Sequence, residues 1–136
     1  MLLHFELKDK IEAQYTDRLA VPLPLSQDAL TARFVNGLAV ELRYLNADEY
    51  SAQWLWRGAL LRIDTAPTHL GLATFPNHFH AADGMVKADP LTEPGQAPWV
   101  NVRRLLDAIL QDPLLRGATA ALEQPCRHAQ PVLRKS

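Results

Sequence analysis

Cysteine is nearly absent from this 136-residue chain. The single one, Cys126, excludes an internal disulfide framework and suits a reducing compartment. It sits between Pro125 and Arg127 in a loose tail, a poor setting for a catalytic thiol. An excess of either charge is also missing: 14 Lys and Arg stand against 15 Asp and Glu, a net charge of -1. The chain therefore has no global pull toward nucleic acid or anionic membrane, although a local basic patch can coexist with a neutral total. No apolar run approaches the roughly 20 residues that a membrane span needs. Glu6 and Lys8 interrupt the start too early for the apolar region of a signal peptide. A Gly-rich phosphate loop, a Ser-centred elbow and paired Cys-x-x-Cys motifs are all lacking. These absences lead us to expect one soluble, cytoplasmic domain over residues 1–136.

What is present is enough apolar material for a core, 48% of residues, arranged in segments with different periods. Residues 1–28 are ambiguous. Leu3, Leu7, Ile11, Tyr15 and Leu19 recur every four residues, as on a helix. Leu3, Phe5 and Leu7, then Ile11, Ala13 and Tyr15, also alternate as in two short strands. The stricter alternation favours strands here, since a pure spacing of four drifts around a helix. Val21 to Ser26, with Pro22 and Pro24, is an extended connector.

Residues 29–65 read as an antiparallel meander. Asn36-Gly37 predicts a two-residue hairpin turn, which sets Arg33 opposite Val40. A three-residue turn at Asn46 to Asp48 pairs Tyr44 with Tyr50, Leu42 with Ala52 and Val40 with Trp54. A two-residue turn at Arg57-Gly58 pairs Trp56 with Ala59, Trp54 with Leu61 and Ala52 with Ile63. Both registers put one apolar face on the same side of three strands. The other face then carries Glu41, Arg43, Ser51, Gln53, Arg62 and Asp64. Residues 66–97 form a loop and a small hairpin. Phe75 to Phe79 reads as extended, and a tight turn at Asp83-Gly84 would face His80 with Lys87 and His78 with Asp89. Pro98 opens a helix over 98–112, whose stripe of Trp99, Val102, Leu105, Leu106, Ile109 and Leu110 suits packing on the apolar sheet face. Residues 113–136 are a tail with one possible short helix at 118–123. The fold class is α+β, an antiparallel meander with a C-terminal helix on one face.

The chemistry concentrates at His69, His78 and His80, three of the five histidines. Imidazoles titrate near neutrality, so two of them can serve as base and acid in one reaction. A histidine paired with Asp89 would rise in pKa and hold a fixed tautomer. Arg43, Arg62 or Lys87 could bind phosphate and offset developing negative charge. These are the parts of metal-free RNA cleavage, in which a 2′-hydroxyl attacks its neighbouring phosphate. Two other readings stay open. The same side chains could cap a loop for structure alone, or His69, His78 and His80 with Asp64 could bind zinc or another borderline divalent ion.

The order Arg62-Ile63-Asp64-Thr65-Ala66-Pro67-Thr68-His69, then Thr74-Phe75-Pro76-Asn77-His78-Phe79-His80, resembles the TumE-type toxin family. Its pattern runs R-x-D-N-A-P-H-H, a short loop, then T-F-P-H-H-x-H. Arg62, Asp64, Ala66, Pro67, His69, Thr74, Phe75, Pro76, His78 and His80 match; Thr65, Thr68 and Asn77 depart. The resemblance spans about residues 29–112. It implies the toxin of a type II toxin–antitoxin module, partnered by an antitoxin, with ribonuclease activity the usual expectation for small toxins of this kind. With the histidines at 68 and 77 missing, His69, His78, His80 and Asp64 are the catalytic candidates. Arg43, Arg62 and Lys87 are the substrate-binding ones. No cofactor is expected, metal being the lesser alternative, and a homodimer is compatible. The competing class is a non-catalytic module that binds a protein or metal through Arg43, Gln53 and Arg62.

Overall fold

The chain runs α1 (Leu2–Gln14), β1 (Leu30–Arg33), β2 (Ala39–Tyr44), β3 (Tyr50–Trp56), β4 (Ala59–Asp64), β5 (His78–His80), β6 (Val86–Ala88) and α2 (Pro98–Gln111). This computed structural model describes residues 2–24, 26 and 28–118. The strands form one open antiparallel sheet in the order β1-β2-β3-β4-β5-β6, and both helices belong to the core on one of its faces. The fold class is α+β, with the C-terminal helix packed as its apolar stripe requires. The first part of the expected tail, residues 113–118, is described, with Leu115 buried in the core; Cys126, the rest of the tail and all but the first residue of the expected helix at 118–123 lie outside the described residues. Among the described residues, no helix is long and apolar enough to cross a membrane.

The central registers are those the face pattern demands. Tyr44 pairs with Tyr50, Leu42 with Ala52 and Val40 with Trp54; Trp56 pairs with Ala59, Trp54 with Leu61 and Ala52 with Ile63. At Arg57-Gly58 both residues adopt positive φ, 48° and 85°, as a two-residue hairpin turn needs.

The two Asx-Gly turns differ from expectation, and in the same way. Phe34 N–H donates to the Leu38 carbonyl, and Ala81 N–H to that of Met85. Each turn therefore has three residues, 35–37 and 82–84, with only the glycine at positive φ (97° for Gly37, 86° for Gly84). The Asx side chain helps to select this form. Asn36 Oδ1 accepts the Leu38 N–H at 3.0 Å and Asp83 Oδ1 the Met85 N–H at 2.9 Å. One extra residue moves each register by one. Arg33 then lies opposite Ala39 rather than Val40 and points to solvent, which removes the anomaly of an arginine on the apolar face. In the second hairpin His80 faces Val86, His78 faces Ala88, and Lys87 faces Phe79.

The N-terminal segment is a helix, not a pair of strands. Leu7, Ile11 and Tyr15 are buried together with His4, whereas Phe5 is 47% exposed. The spacing of four thus describes the buried face, and the alternation was incidental. The helix packs on β2 and α2. Tyr15 donates its hydroxyl proton to Asp107 Oδ1 at 2.6 Å, and His4 Nε2 accepts the Tyr44 N–H at 3.0 Å just beyond the end of the β1–β2 pairing. Residues 18–20 then run along β1 through Ala20 N–H to the Arg33 carbonyl and Val35 N–H to the Arg18 carbonyl. They cover an edge that would otherwise expose its backbone.

From α2, Val102, Leu105, Leu106, Ile109 and Leu110 enter the core, each contributing about 1.5–3 kcal/mol through burial. Trp54 stacks on Phe79 with ring centroids 6.1 Å apart, and its indole N–H donates to the Pro113 carbonyl at 2.7 Å. This pair fixes β5 beside β4 from the core side. By alternation it turns His78 and His80 to the opposite face.

Candidate functional site

The β4–β5 pairing assembles the site. Asp64 lies opposite His78 and Arg62 opposite His80, so all four side chains share the sheet face remote from the helices. Residues 65–77 form the crossing loop, which returns His69 over this face. Its ring centroid is 4.6 Å from that of His78 and 5.9 Å from that of His80, while His78 and His80 are 4.8 Å apart.

Exposure divides the three imidazoles. His78 is 2% exposed, whereas His69 and His80 are half-buried and open to solvent. His78 Nδ1 lies 3.1 Å from the Pro76 carbonyl oxygen. A carbonyl can only accept, so Nδ1 carries a proton. His78 Nε2 lies 3.1 Å from Asp64 Oδ1, and His80 Nε2 lies 3.8 Å from Asp64 Oδ2.

Asp64 is the hub. Arg62 Nε donates to its Oδ2 at 2.8 Å and Ala66 N–H to its Oδ1 at 2.9 Å. Burial alone would raise the Asp64 carboxyl. The Arg62 hydrogen bond, the Ala66 amide and the charges of His78 and Arg62 outweigh it and hold the group below the usual carboxylate range. His80 is held below the ordinary imidazole value, first by burial and then by His78, His69 and Arg62, against the pull of Asp64. Arg62 is tied sideways as well, with Nη1 donating to Gln53 Oε1 at 3.3 Å.

A groove of about 600 Å³ opens on Asp64 and Arg62 and extends past Ser51 and Arg43 to His4. Arg43 and Arg62 therefore line one surface. Arg43 is exposed and lies 3.4 Å from Glu41 Oε1. Lys87 and Asp89 are not part of the cluster. Lys87 shares the Phe79 face of the sheet, so the one-residue shift of the hairpin takes it away from the histidines. Asp89 is buried in a loop hub. It accepts the Leu91 and Thr92 N–H groups at 2.8 and 3.0 Å on Oδ1, and the Asn77 amide at 2.8 Å on Oδ2.

Two departures from the family pattern acquire structural roles. Asn77 has the face parity of Phe79, opposite to the site, and its amide also donates to the Thr92 carbonyl at 2.9 Å. Thr65 Oγ1 accepts the Tyr50 N–H at 3.0 Å and donates to the Tyr50 carbonyl at 3.2 Å. Position 77 thus takes nothing from the imidazole cluster. Thr68 is exposed on the loop. Sequence reasoning missed the Pro76 carbonyl, the Ala66 amide and the groove wall at His4. It also missed the loop hub, although Asp89-Pro90-Leu91-Thr92 carries an Asx-turn signature.

The ligand-capable nitrogens of His69, His78 and His80 all lie within 4.8 Å of one another. Two imidazoles near the surface, a buried imidazole–carboxylate pair beneath them and a guanidinium alongside can move protons and bind an anion. The three rings can equally hold a cation. Comparison with curated proteins and with solved structures returned no match. The family model described as toxin TumE matches residues 6–115, and the chain belongs to that family of toxins.

Proposed function

We propose that this toxin acts on RNA by metal-independent acid–base cleavage of the phosphodiester backbone. The observation that carries the reading is the placement of His69 and His80, solvent-accessible and with ring centroids 5.9 Å apart, above the buried His78–Asp64 pair and beside Arg62. One of the two accessible imidazoles takes the proton of the 2′-hydroxyl as its oxygen attacks phosphorus. The other gives a proton to the departing 5′-oxygen. The products are a 2′,3′-cyclic phosphate and a 5′-hydroxyl.

Arg62 has five N–H groups, of which two meet Asp64 and Gln53; the others face the phosphate as its charge grows. Arg43, further along the groove, binds an adjoining phosphate. His78 is too buried to touch substrate and serves to position the others. Asp64 orients His78 and His80 and holds Arg62.

A type II antitoxin partners the toxin in the cytoplasm. It covers the outer sheet face, where Leu55 and Leu60 are 47% and 55% exposed and pair across β3 and β4. The non-catalytic alternative is an outcome of the same test. Induced expression in cells should arrest growth and yield RNA fragments with cyclic-phosphate ends, both suppressed by co-expression of the antitoxin. Growth arrest with an intact RNA pool would overturn the reading.

A further inference from the structure

We propose that His69, His78 and His80, backed by Asp64, form a binding site for a divalent ion of the zinc class, and that the bound ion silences the toxin.

His78 has one ring nitrogen committed and one free to take a cation. Its Nδ1 proton is committed to the Pro76 carbonyl, so in the neutral ring Nε2 bears a lone pair. That lone pair faces Asp64 Oδ1 at 3.1 Å inside the protein, an arrangement that repels unless a cation lies between them. A second proton is one such cation. A metal ion is the other. Two ligand atoms, each about 2.1 Å from one ion and about 90–110° apart, are separated by about 3.0–3.4 Å. The His78 Nε2–Asp64 Oδ1 separation falls in this range; His80 Nε2 lies 3.8 Å from the other oxygen, Oδ2, and the three imidazole ligand atoms, within 4.8 Å of one another, close up by about an ångström around an ion. Three imidazoles around one ion place their ring centres about 4.5–5.5 Å apart, against 4.6, 4.8 and 5.9 Å here.

The outer contacts are those of a metal centre too. A ligating histidine typically donates its second N–H to a carbonyl, and the carboxylate beside such a site is itself hydrogen-bonded. Pro76 meets the first requirement, Arg62 and Ala66 the second. Imidazole nitrogens with a single carboxylate select zinc and its neighbours over magnesium or calcium, which prefer oxygen.

The three imidazole nitrogens, within 4.8 Å of one another, are the ligand set, with Asp64 against His78 and His80 beside them. The ion also occupies the lone pairs of His69 and His80, so metal binding and proton transfer exclude each other. This second part rests on the RNA-cleavage reading given above; the binding site itself does not.

The test uses the full chain stripped with a chelator and titrated with Co²⁺ as a spectroscopic probe, then with Zn²⁺ in competition. The expected result is a visible d–d absorption that saturates at one ion per chain and is bleached by Zn²⁺. It should be lost in His69→Ala and His80→Ala, whose side chains are partly exposed and whose far-UV spectra should match wild type. Asp64→Asn should weaken binding about 10- to 100-fold. No saturable absorption, or absorption unchanged by both histidine substitutions, overturns the site. The activity arm is separate. Stoichiometric Zn²⁺ should abolish RNA cleavage by the stripped protein, and chelator should restore it. If Zn²⁺ instead activates an inert stripped protein, the silencing role and the metal-free mechanism both fall while the site stands.

Discussion

His78 Nε2 and Asp64 Oδ1 stand 3.1 Å apart across the β4–β5 pair, beneath the two imidazoles that reach solvent. This contact joins the end of the meander to the short hairpin that follows the long loop. It is at once a tie in the fold and the base of the candidate site. Removing the carboxylate should separate those two effects.

Replacing Asp64 with Asn keeps the shape but takes the charge away from His78 and Arg62. We expect a loss of about 1–3 kcal/mol in folding stability, the cost of leaving a buried polar partner poorly satisfied. Activity should fall further, by about 100-fold, because the imidazoles lose their orientation. Urea unfolding and an RNA-cleavage assay on the same preparation check the pair of numbers. A variant as active as wild type would separate Asp64 from the chemistry.

The departure from the family pattern at position 77 leads to a different expectation. Asn77 is 3% exposed and its amide serves both Asp89 and the Thr92 carbonyl. Asn77→Ala should cost about 1–3 kcal/mol for each buried acceptor left unpaired. Amide hydrogen exchange should rise first in residues 89–92, with the β2–β4 core still protected.

The two Asx-Gly turns test backbone conformation without packing. Neither Gly37 nor Gly84 has any atom within 4 Å of where a Cβ would sit, and both have positive φ. Gly37→Ala and Gly84→Ala should each cost about 1–2 kcal/mol from the left-handed backbone alone. Thermal unfolding measures it. Gly71 is the control, with equally open surroundings and no positive φ, so its alanine variant should be neutral or slightly stabilising.

Arg43 and Arg62 line the same groove but should behave differently. Arg43 is exposed, so Arg43→Ala should raise KM about fivefold at most and leave kcat unchanged. Arg62 adjoins His80 and Asp64, and Arg62→Ala should lower kcat. Steady-state kinetics at two salt concentrations distinguish them, the Arg43 effect being the one that salt screens.

The sequence made some of this arrangement legible and hid the rest for identifiable reasons. The β2–β4 registers could be read because turn length and face alternation constrain each other. A wrong turn would have buried Glu41 or Arg62. The stripe of α2, Pro98 at its start and Pro113 beyond its end gave that helix nearly to the residue. The segment of residues 2–14 could not be resolved because its apolar positions satisfy two periods, and tertiary burial of Leu7, Ile11 and Tyr15 decided between them. The partners of His78 and His80 were misread by a single residue of turn length, which suggested Asp89 and Lys87. Their true partners, Asp64 and Arg62, sit across a long loop whose ends no local rule pairs. The family motif already held all four residues together, while composition alone did not.

The catalytic role of the histidine cluster is tested most directly by the rate of RNA cleavage by chelator-treated protein compared with its His69→Ala and His80→Ala variants. Folding of each is verified by far-UV circular dichroism. We predict that each substitution lowers the rate by about 10²- to 10⁴-fold with the spectrum unchanged. Rates equal to wild type in both folded variants would contradict the assignment of this cluster as the catalytic site.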